Sequence, residues 1–426
     1  MGDYGGNAFA IGWLRARVHR MTSREAAIKI IKRLRKADYQ ALLAGGCVRD
    51  MLLKRPAKDY DVATDAKPDE VAKLFERTLK VGAKFGVVMV IADGAQTEVA
   101  TFRTESGYAD GRHPEHVAFC GPQEDASRRD FTINGMFYDP INRKVIDYVN
   151  GQADLRKGLV RTIGDAQKRF GEDYLRLLRA VRFSAQLGFA IEPQTWSAVC
   201  TKARNITKIS AERIAMELEA IVTHPNRALG ASMLIKSKLA GAVFPGFEGE
   251  GAEFGIKVLE NLSKEIDFPL ALAGLFAGYD TKFGMAQAGR LKLSRAHSKH
   301  LRFLLNRRGD LLEAQMGLAQ LKMLLAQPYF SDLYELQRAI QIVRSASIGP
   351  LLAIKKRARA LKGRQLRPKP LLDGHELIRL GVQPGPMVGL VAKEMYIAQL
   401  SEELNTPDQA RKWVGRWLSR HKQLEQ

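Results

Sequence analysis

Ala41-Leu42-Leu43-Ala44-Gly45-Gly46-Cys47-Val48-Arg49-Asp50, followed by Lys58-Asp59-Tyr60-Asp61, is the stretch on which the reading of this chain turns. An apolar run enters two glycines, an arginine follows one helical turn later, and two acids stand two residues apart. Glycines let a backbone approach a phosphate closely, and a helix starting there offers free N–H groups and the positive end of its dipole. Arg49 adds a planar fork of donors matched to phosphate oxygens. On a strand, Asp59 and Asp61 point to the same face, because side chains alternate with a period of two. Two carboxylates on one face make a poor structural element and a good Mg²⁺ site. The combination implies metal-dependent nucleotidyl transfer.

Working outward, the apolar run 41–44 belongs to a set of short β-rich segments: 39–44, 60–64, 87–92, 98–102, 131–138 and 144–149. Helical stretches near 48–53 and 69–77 interrupt them, and Thr22 with Glu25 forms a capping box for a helix over 24–36. From about residue 165 the β signal ends. Segments 170–187, 211–222, 226–238, 294–305, 312–325 and 330–344 show the 3.6-residue apolar spacing of helices. Pro384-Gly385-Pro386 opens another helix and Thr406-Pro407 the last. The expected fold class is α+β: a head with a small sheet, then an all-α neck, body and tail, divided at 22–160, 161–230, 231–350 and 351–426.

The chain has 426 residues, 46% hydrophobic and 27% charged, which is ample for a large core and more than one domain. Its formal net charge of +21 favours a polyanionic partner. Cys47, Cys120 and Cys200 are too few and too scattered for a disulfide framework or a zinc knuckle, and fit a reducing compartment. The longest apolar stretches are too short to span a bilayer, and residues 1–21 lack a signal-peptide core, so a cytoplasmic protein is expected.

Further candidates lie downstream. Glu98, in a β-branched run, is a candidate third acid beside Asp59 and Asp61, with a salt bridge to Arg103 as the competing reading. Arg128-Arg129-Asp130-Phe131-Thr132-Ile133-Asn134 places two cations, an acid and an amide at the entry to an expected strand. The arginines suit a triphosphate, with Asp130 orienting them. Within 172–183, Asp173, Arg176 and Arg179 recur at three-residue steps and so share a helical face, with Arg182 drifting around it. An acid and an arginine there can meet a base edge as acceptor and donors; a solvated, salt-bridged face is the alternative. Segment 103–117 reads as a polar, mobile loop, and its His113 and His116 lack a third ligand nearby. His297 and His300 lie among cations and read as backbone contacts to RNA or as solvated residues. Acid-free basic runs at 290–308 and 355–369 read as a phosphate-backbone track.

In their succession these residues resemble the class II tRNA nucleotidyltransferase and bacterial poly(A) polymerase family. Gly45-Gly46-x-Val48-Arg49-Asp50 with Asp59-x-Asp61 is similar to its metal and triphosphate motif. Arg129-Asp130-Phe131-Thr132-x-Asn134 is similar to its sugar-selecting motif, and Asp147-x-x-x-Gly151-x-x-Asp154-Leu155 to its hinge. Glu172-Asp173-x-x-Arg176 is similar to its base-reading motif and Ser210-x-Glu212-Arg213-x-x-x-Glu217 to its neck-stabilising one. The resemblance implies Asp59 and Asp61 as Mg²⁺ ligands, Gly45, Gly46, Arg49, Arg129, Asp130 and Asn134 around the nucleotide, and Asp173 and Arg176 as base readers assisted by Arg179 and Arg182. It also implies ATP, CTP and tRNA as partners, the tRNA gripped on its acceptor–TΨC half, and no membrane. The compact segment before Arg129, with Tyr108–Pro114 resembling the flexible loop of A-adding enzymes, points to full CCA addition. An A-adding specialist, a poly(A) polymerase and a non-catalytic RNA-binding protein are the alternatives.

Overall fold

A computed structural model describes residues 21–79, 86–92, 94–107, 116–313, 316–363 and 365–422. Contacts group the chain into two units: residues up to Arg176 with Phe189–Ala198, and Leu177–Gly188 with the chain from Val199 onward.

The first unit opens with α1 (Ser23–Lys36), started by the expected capping box, in which Thr22 and Glu25 satisfy each other's backbone N–H groups. Its buried face is Ala26, Ala27, Ile30, Ile31 and Leu34. The strands follow in chain order as β1 (Ala41–Ala44), β2 (Asp61–Thr64), β3 (Thr78–Leu79), β4 (Val87–Ala92), β5 (Ala95–Thr101), β6 (Arg103–Ser106), β7 (His116–Phe119), β8 (Phe137–Asp139) and β9 (Lys144–Ile146). Seven of them form one sheet in the order β3-β4-β5-β2-β1-β8-β9. β2 runs antiparallel to β1 and parallel to β5. Leu42, Ala44, Ala63, Phe102, Ala126 and Phe137 form a core cluster of this unit, with Phe102 and Phe137 edge to face at 5.7 Å. Between the strands stand α2 (Gly46–Leu52) and α3 (Pro68–Leu74), and then α4 (Pro122–Ser127), α5 (Gly151–Lys157) and α6 (Ala166–Glu172).

Three expectations need correction. Residues 131–138 are not one strand: Thr132–Asn134 make a 3₁₀ turn and pairing resumes at Phe137. The turn exists because the Asn134 and Gly135 N–H groups fold back to the carbonyls of Phe131 and Thr132. Segment 170–187 is also broken. α6 ends at Glu172, Asp173 is extended (φ −146, ψ 107), and α7 runs Leu175–Leu187. The Asp173 carboxylate accepts the Leu175 N–H at 3.0 Å, a local bond that competes with helix continuation. Lastly, the ends of segment 103–117 are the paired strands β6 and β7; Tyr108–Pro114, with His113, lies outside the described residues.

The second unit is helical. Gly249–Asn261 packs on Phe268–Leu275 and Phe330–Val343, beside a cluster of Phe244, Phe247, Phe276, Tyr279 and Phe283. Pro386–Leu400 and Pro407–Lys422 close the chain around Leu377, Val391, Met395, Val414 and Trp417. Among the described residues no helix is long and apolar enough to cross a membrane.

Candidate active site

β1 delivers the glycine pair to the edge of the acidic residues. Its antiparallel register sets Ala44 opposite Asp61, so the turn at Gly45-Gly46 leaves the sheet beside that carboxylate. Gly45 has φ +74, a conformation costly for any side chain, and a Cβ there would stand 3.0 Å from Arg129 Nη1. The turn is glycine because an arginine must come this close. α2 begins at Gly46, and Cys47 is buried behind the turn, its thiol donating to the Ala44 carbonyl.

Asp61 is the first residue of β2, whereas Asp59 lies in the lead-in just before it, so the same-face argument for two acids on one strand does not apply to them. They converge nonetheless, and Glu98 joins them. β5 runs parallel to β2 with Val62 opposite Val99, which sets Glu98 next to Asp61. Although Asp61 retains exposed surface, protein packs its inner side. That burial, then the Glu98 and Asp59 charges, push its carboxyl up to about 6, with Arg129 acting against them. A partly buried carboxylate with two further acids acting on it fits a hard divalent cation. Arg103, the competing partner proposed for Glu98, pairs with Glu105 at 2.8 Å.

Arg49 is held from two sides. Its guanidinium meets Asp50 at 2.9 Å and donates to Asn134 Oδ1 at 2.8 Å. Asn134 in turn donates to Asp130 Oδ1 at 3.1 Å, which also accepts the Phe131 N–H. Beside Asp130, which the sequence suggested as the orienting acid, a residue not singled out from sequence, Asp125, holds Arg128 and Arg129 directly. This buried carboxylate takes Arg128 at 2.7 Å and Arg129 at 3.0 Å, and accepts the Arg103 N–H. Burial alone would raise Asp125; the two guanidiniums and these bonds outweigh it and hold its pKa low. Its signal was the spacing to Arg128 and Arg129, i+3 and i+4 on a helix. Arg129 also lies over the Phe137 ring, 4.9 Å from its centre, aimed at the glycine turn.

The base-reading candidates divide at the helix break. Arg176 is 9% exposed and donates to Glu172 at 2.7 Å, the Arg169 carbonyl at 2.9 Å and, more weakly, the Arg128 carbonyl at 3.4 Å. Asp173 sits in the break itself, partly exposed. Since Asp173 is extended, its shared helical face with Arg176 and Arg179 does not exist; α7 starts two residues later. Arg179 and Arg182 belong to the second unit, where both face the buried Glu217, at 3.7 and 3.2 Å, and flank the Phe183 ring.

Residues 41–161 match the family model of the poly A polymerase head domain, and 188–250 the model described as a probable RNA and SrmB-binding site of polymerase A. A CCA-adding enzyme of Lactobacillus johnsonii is 34% identical over 398 residues, covering 90% of this chain and 95% of that protein. The chain belongs to the CCA-adding enzyme family. Another member, from Geobacillus stearothermophilus, is 42% identical over 227 residues, 53% of this chain and 56% of that one. The crystal structure of the Bacillus stearothermophilus CCA-adding enzyme in complex with CTP is similar at a TM-score of 0.77 and 28% identity, over 95% of this chain and all of that one.

Within this family member, one further group of ligating side chains stands apart from the acids at Asp61. Asp267, His300 and Asp332 come together among the helices of the second unit. His300 was expected to contact RNA backbone or to be solvated, yet it is 6% exposed, because its ring stacks on Tyr329 at 4.0 Å. Nδ1 faces Asp267 at 3.3 Å and Nε2 faces Asp332 at 3.1 Å. With both ring nitrogens close to carboxylates, the protonated ring is favoured. Burial works against the charge, but the two aspartates prevail and raise the ring to about 9.

Proposed function

We propose that this protein completes the 3′ end of tRNA, adding C, C and A from CTP and ATP without a nucleic-acid template, with Mg²⁺ as its metal. The observation that carries the reading is the convergence of Asp59, Asp61 and Glu98 beside an arginine-lined glycine turn. It occurs in a chain aligned with a CCA-adding enzyme over nearly that protein's whole length. Bound there, the divalent ion would neutralise charge at the α-phosphate and on the departing pyrophosphate.

The chain's own residues do the remainder. The Gly45-Gly46 turn admits the triphosphate against the backbone, Arg49 and Arg129 pair with its oxygens, and Asn134, held by Asp130, stands beside Arg49. Asp59 and Asp61 are the metal ligands and Glu98 the third acid. Asp173 and Arg176 offer an acceptor and donors to the base edge, so selection comes from the protein. Segments 22–160, 161–230, 231–350 and 351–426 serve as catalytic head, base-reading neck, body and tRNA-holding tail. The body and tail, basic at 290–308 and 355–369, grip the acceptor–TΨC half through phosphate contacts. The cytoplasm suits both tRNA repair and three unpaired cysteines.

Purified protein with Mg²⁺, CTP and ATP is expected to extend tRNA lacking CCA by three nucleotides and stop. Long A-tails on generic RNA would replace this reading with poly(A) synthesis, and extension only of tRNA ending in CC with an A-adding enzyme. Asp59→Ala is expected to abolish turnover while leaving tRNA binding within about twofold. Surviving turnover would overturn the metal assignment.

A further inference from the structure

Arg169 is absent from every motif that the family resemblance supplied, yet its guanidinium is bound at both ends within the first unit. It lies in the last turn of α6, and only 12% of its side chain is exposed. One end of its guanidinium grips the Glu172 carboxylate; the other meets the main-chain carbonyls of Arg128 and Arg129, the latter at 2.7 Å. Arg176 closes the same knot from the far side of the helix break, through Glu172, the Arg169 carbonyl and the Arg128 carbonyl.

The two carbonyls are the informative part. Arg128 is the C-cap of α4, where carbonyls lack helical partners and carry the negative end of the dipole, so a cation is favoured. Their side chains run the other way, onto Asp125, and Arg129 continues to the Asn134 carbonyl at 3.5 Å and to the glycine turn. A continuous polar path therefore leads from the Asp173 break, through Arg169, to the arginine that faces the triphosphate and Asp61.

We infer that Arg169 is a positioning residue for nucleotide selection, tying the base-reading break at Asp173 and Arg176 to the triphosphate arginine Arg129. The inference rests on the base-reading role given to Asp173 and Arg176 above. A planar fork is required, because one group must serve a carboxylate and two carbonyls at once; an ammonium on a flexible stem cannot hold that geometry. Losing the fork frees the 128–129 corner to shift relative to Arg176. A correct base then no longer guarantees a correctly held triphosphate, and a wrong base is penalised less.

The test compares wild type, Arg169→Lys and Arg169→Ala on tRNA lacking CCA, measuring kcat/KM for CTP and UTP at the first position and for ATP and GTP at the last. Wild-type extension in the same assay checks the underlying reading, since its absence would defeat that reading and not this one. The expected result is a loss of discrimination, CTP over UTP and ATP over GTP, of tenfold or more in Arg169→Ala. Arg169→Lys should be intermediate, with circular dichroism and tRNA affinity like wild type. A variant slowed equally with right and wrong nucleotides, its discrimination unchanged, would show Arg169 to be a packing residue only and overturn the inference. If Arg169→Ala fails to fold, Arg169→Lys carries the same decision.

Discussion

Single residues in this protein are tuned by their immediate partners more than by their type. His300 is the clearest case. A histidine among lysines and arginines reads as an RNA-backbone contact or as solvated, but the partners that decide its state, Asp267 and Asp332, lie some thirty residues away on either side and only the fold brings them in. Its folded value of about 9 lies above the unfolded value near 6.5. Its contribution to stability is therefore fully present below about pH 6.5 and is lost as pH rises through about 9. His300→Gln is expected to melt roughly 2–4 °C below wild type at pH 6.5, the gap closing toward pH 10. Thermal melts of both proteins across that range check it; a gap that does not change with pH would mean that packing against Tyr329, and not charge, is what the ring supplies. Asp125 teaches the same lesson from the other sign: its role was readable only as i+3 and i+4 spacing until the structure showed two guanidiniums on one buried carboxylate.

Elements were legible where apolar periodicity dominated and illegible where side chains bind the local backbone. Segments 41–44, 61–64 and 87–92 form strands inside the expected limits, because their alternating or continuous apolar residues face a core. The carboxylates and arginines of the site were legible as residue types at fixed spacings. Two of the misread segments, 131–138 and 170–187, are where Asp130 and Asp173 accept neighbouring backbone N–H groups, and periodicity does not register such bonds. The turn at Thr132–Asn134 is also fixed from outside. Asp147 accepts the N–H groups of Val149, Gly151 and Gln152 at the start of α5, and Asp154 accepts the Thr132 hydroxyl at 2.8 Å. α5 is thereby pressed so close that a Cβ on Gly151 would lie 2.3 Å from the Thr132 carbonyl oxygen and 2.8 Å from Met136. Gly151→Ala is expected to destabilise the protein by about 2 kcal/mol, measured by urea unfolding, since backbone has to yield. No loss would mean that the turn is free to move.

At the scale of the whole molecule, the excess of cations is the feature that sequence stated most directly. A formal net charge of +21 is what would remain even if every acid were paired with a cation, and many lysines and arginines of 355–369 are exposed. Some of the basic run at 290–308 is spoken for: Lys292 pairs with Glu212, Arg307 with Asp310, and Arg308 donates to the carbonyls of Leu305 and Ala277. The balance predicts RNA binding dominated by counterion release. Filter-binding or anisotropy titrations should show affinity for tRNA falling on the order of 10³-fold between 50 and 200 mM salt. A slope near zero would remove the phosphate track from the reading.

The thiols carry a practical corollary. Cys47 is shielded behind the glycine turn, and burial, then the nearby Asp61 charge, push it up to about 11. Cys120 is raised to about 11 by burial and the acids beside it, and burial raises Cys200 as well. At neutral pH all three stand almost wholly as unreactive thiols, since alkylation and oxidation proceed through the thiolate. A cysteine introduced on an exposed helix would be the fastest-reacting sulfur in the chain. A fluorophore could then be attached at a chosen point without first stripping out the native cysteines, and the glycine turn beside Asp61 would stay untouched.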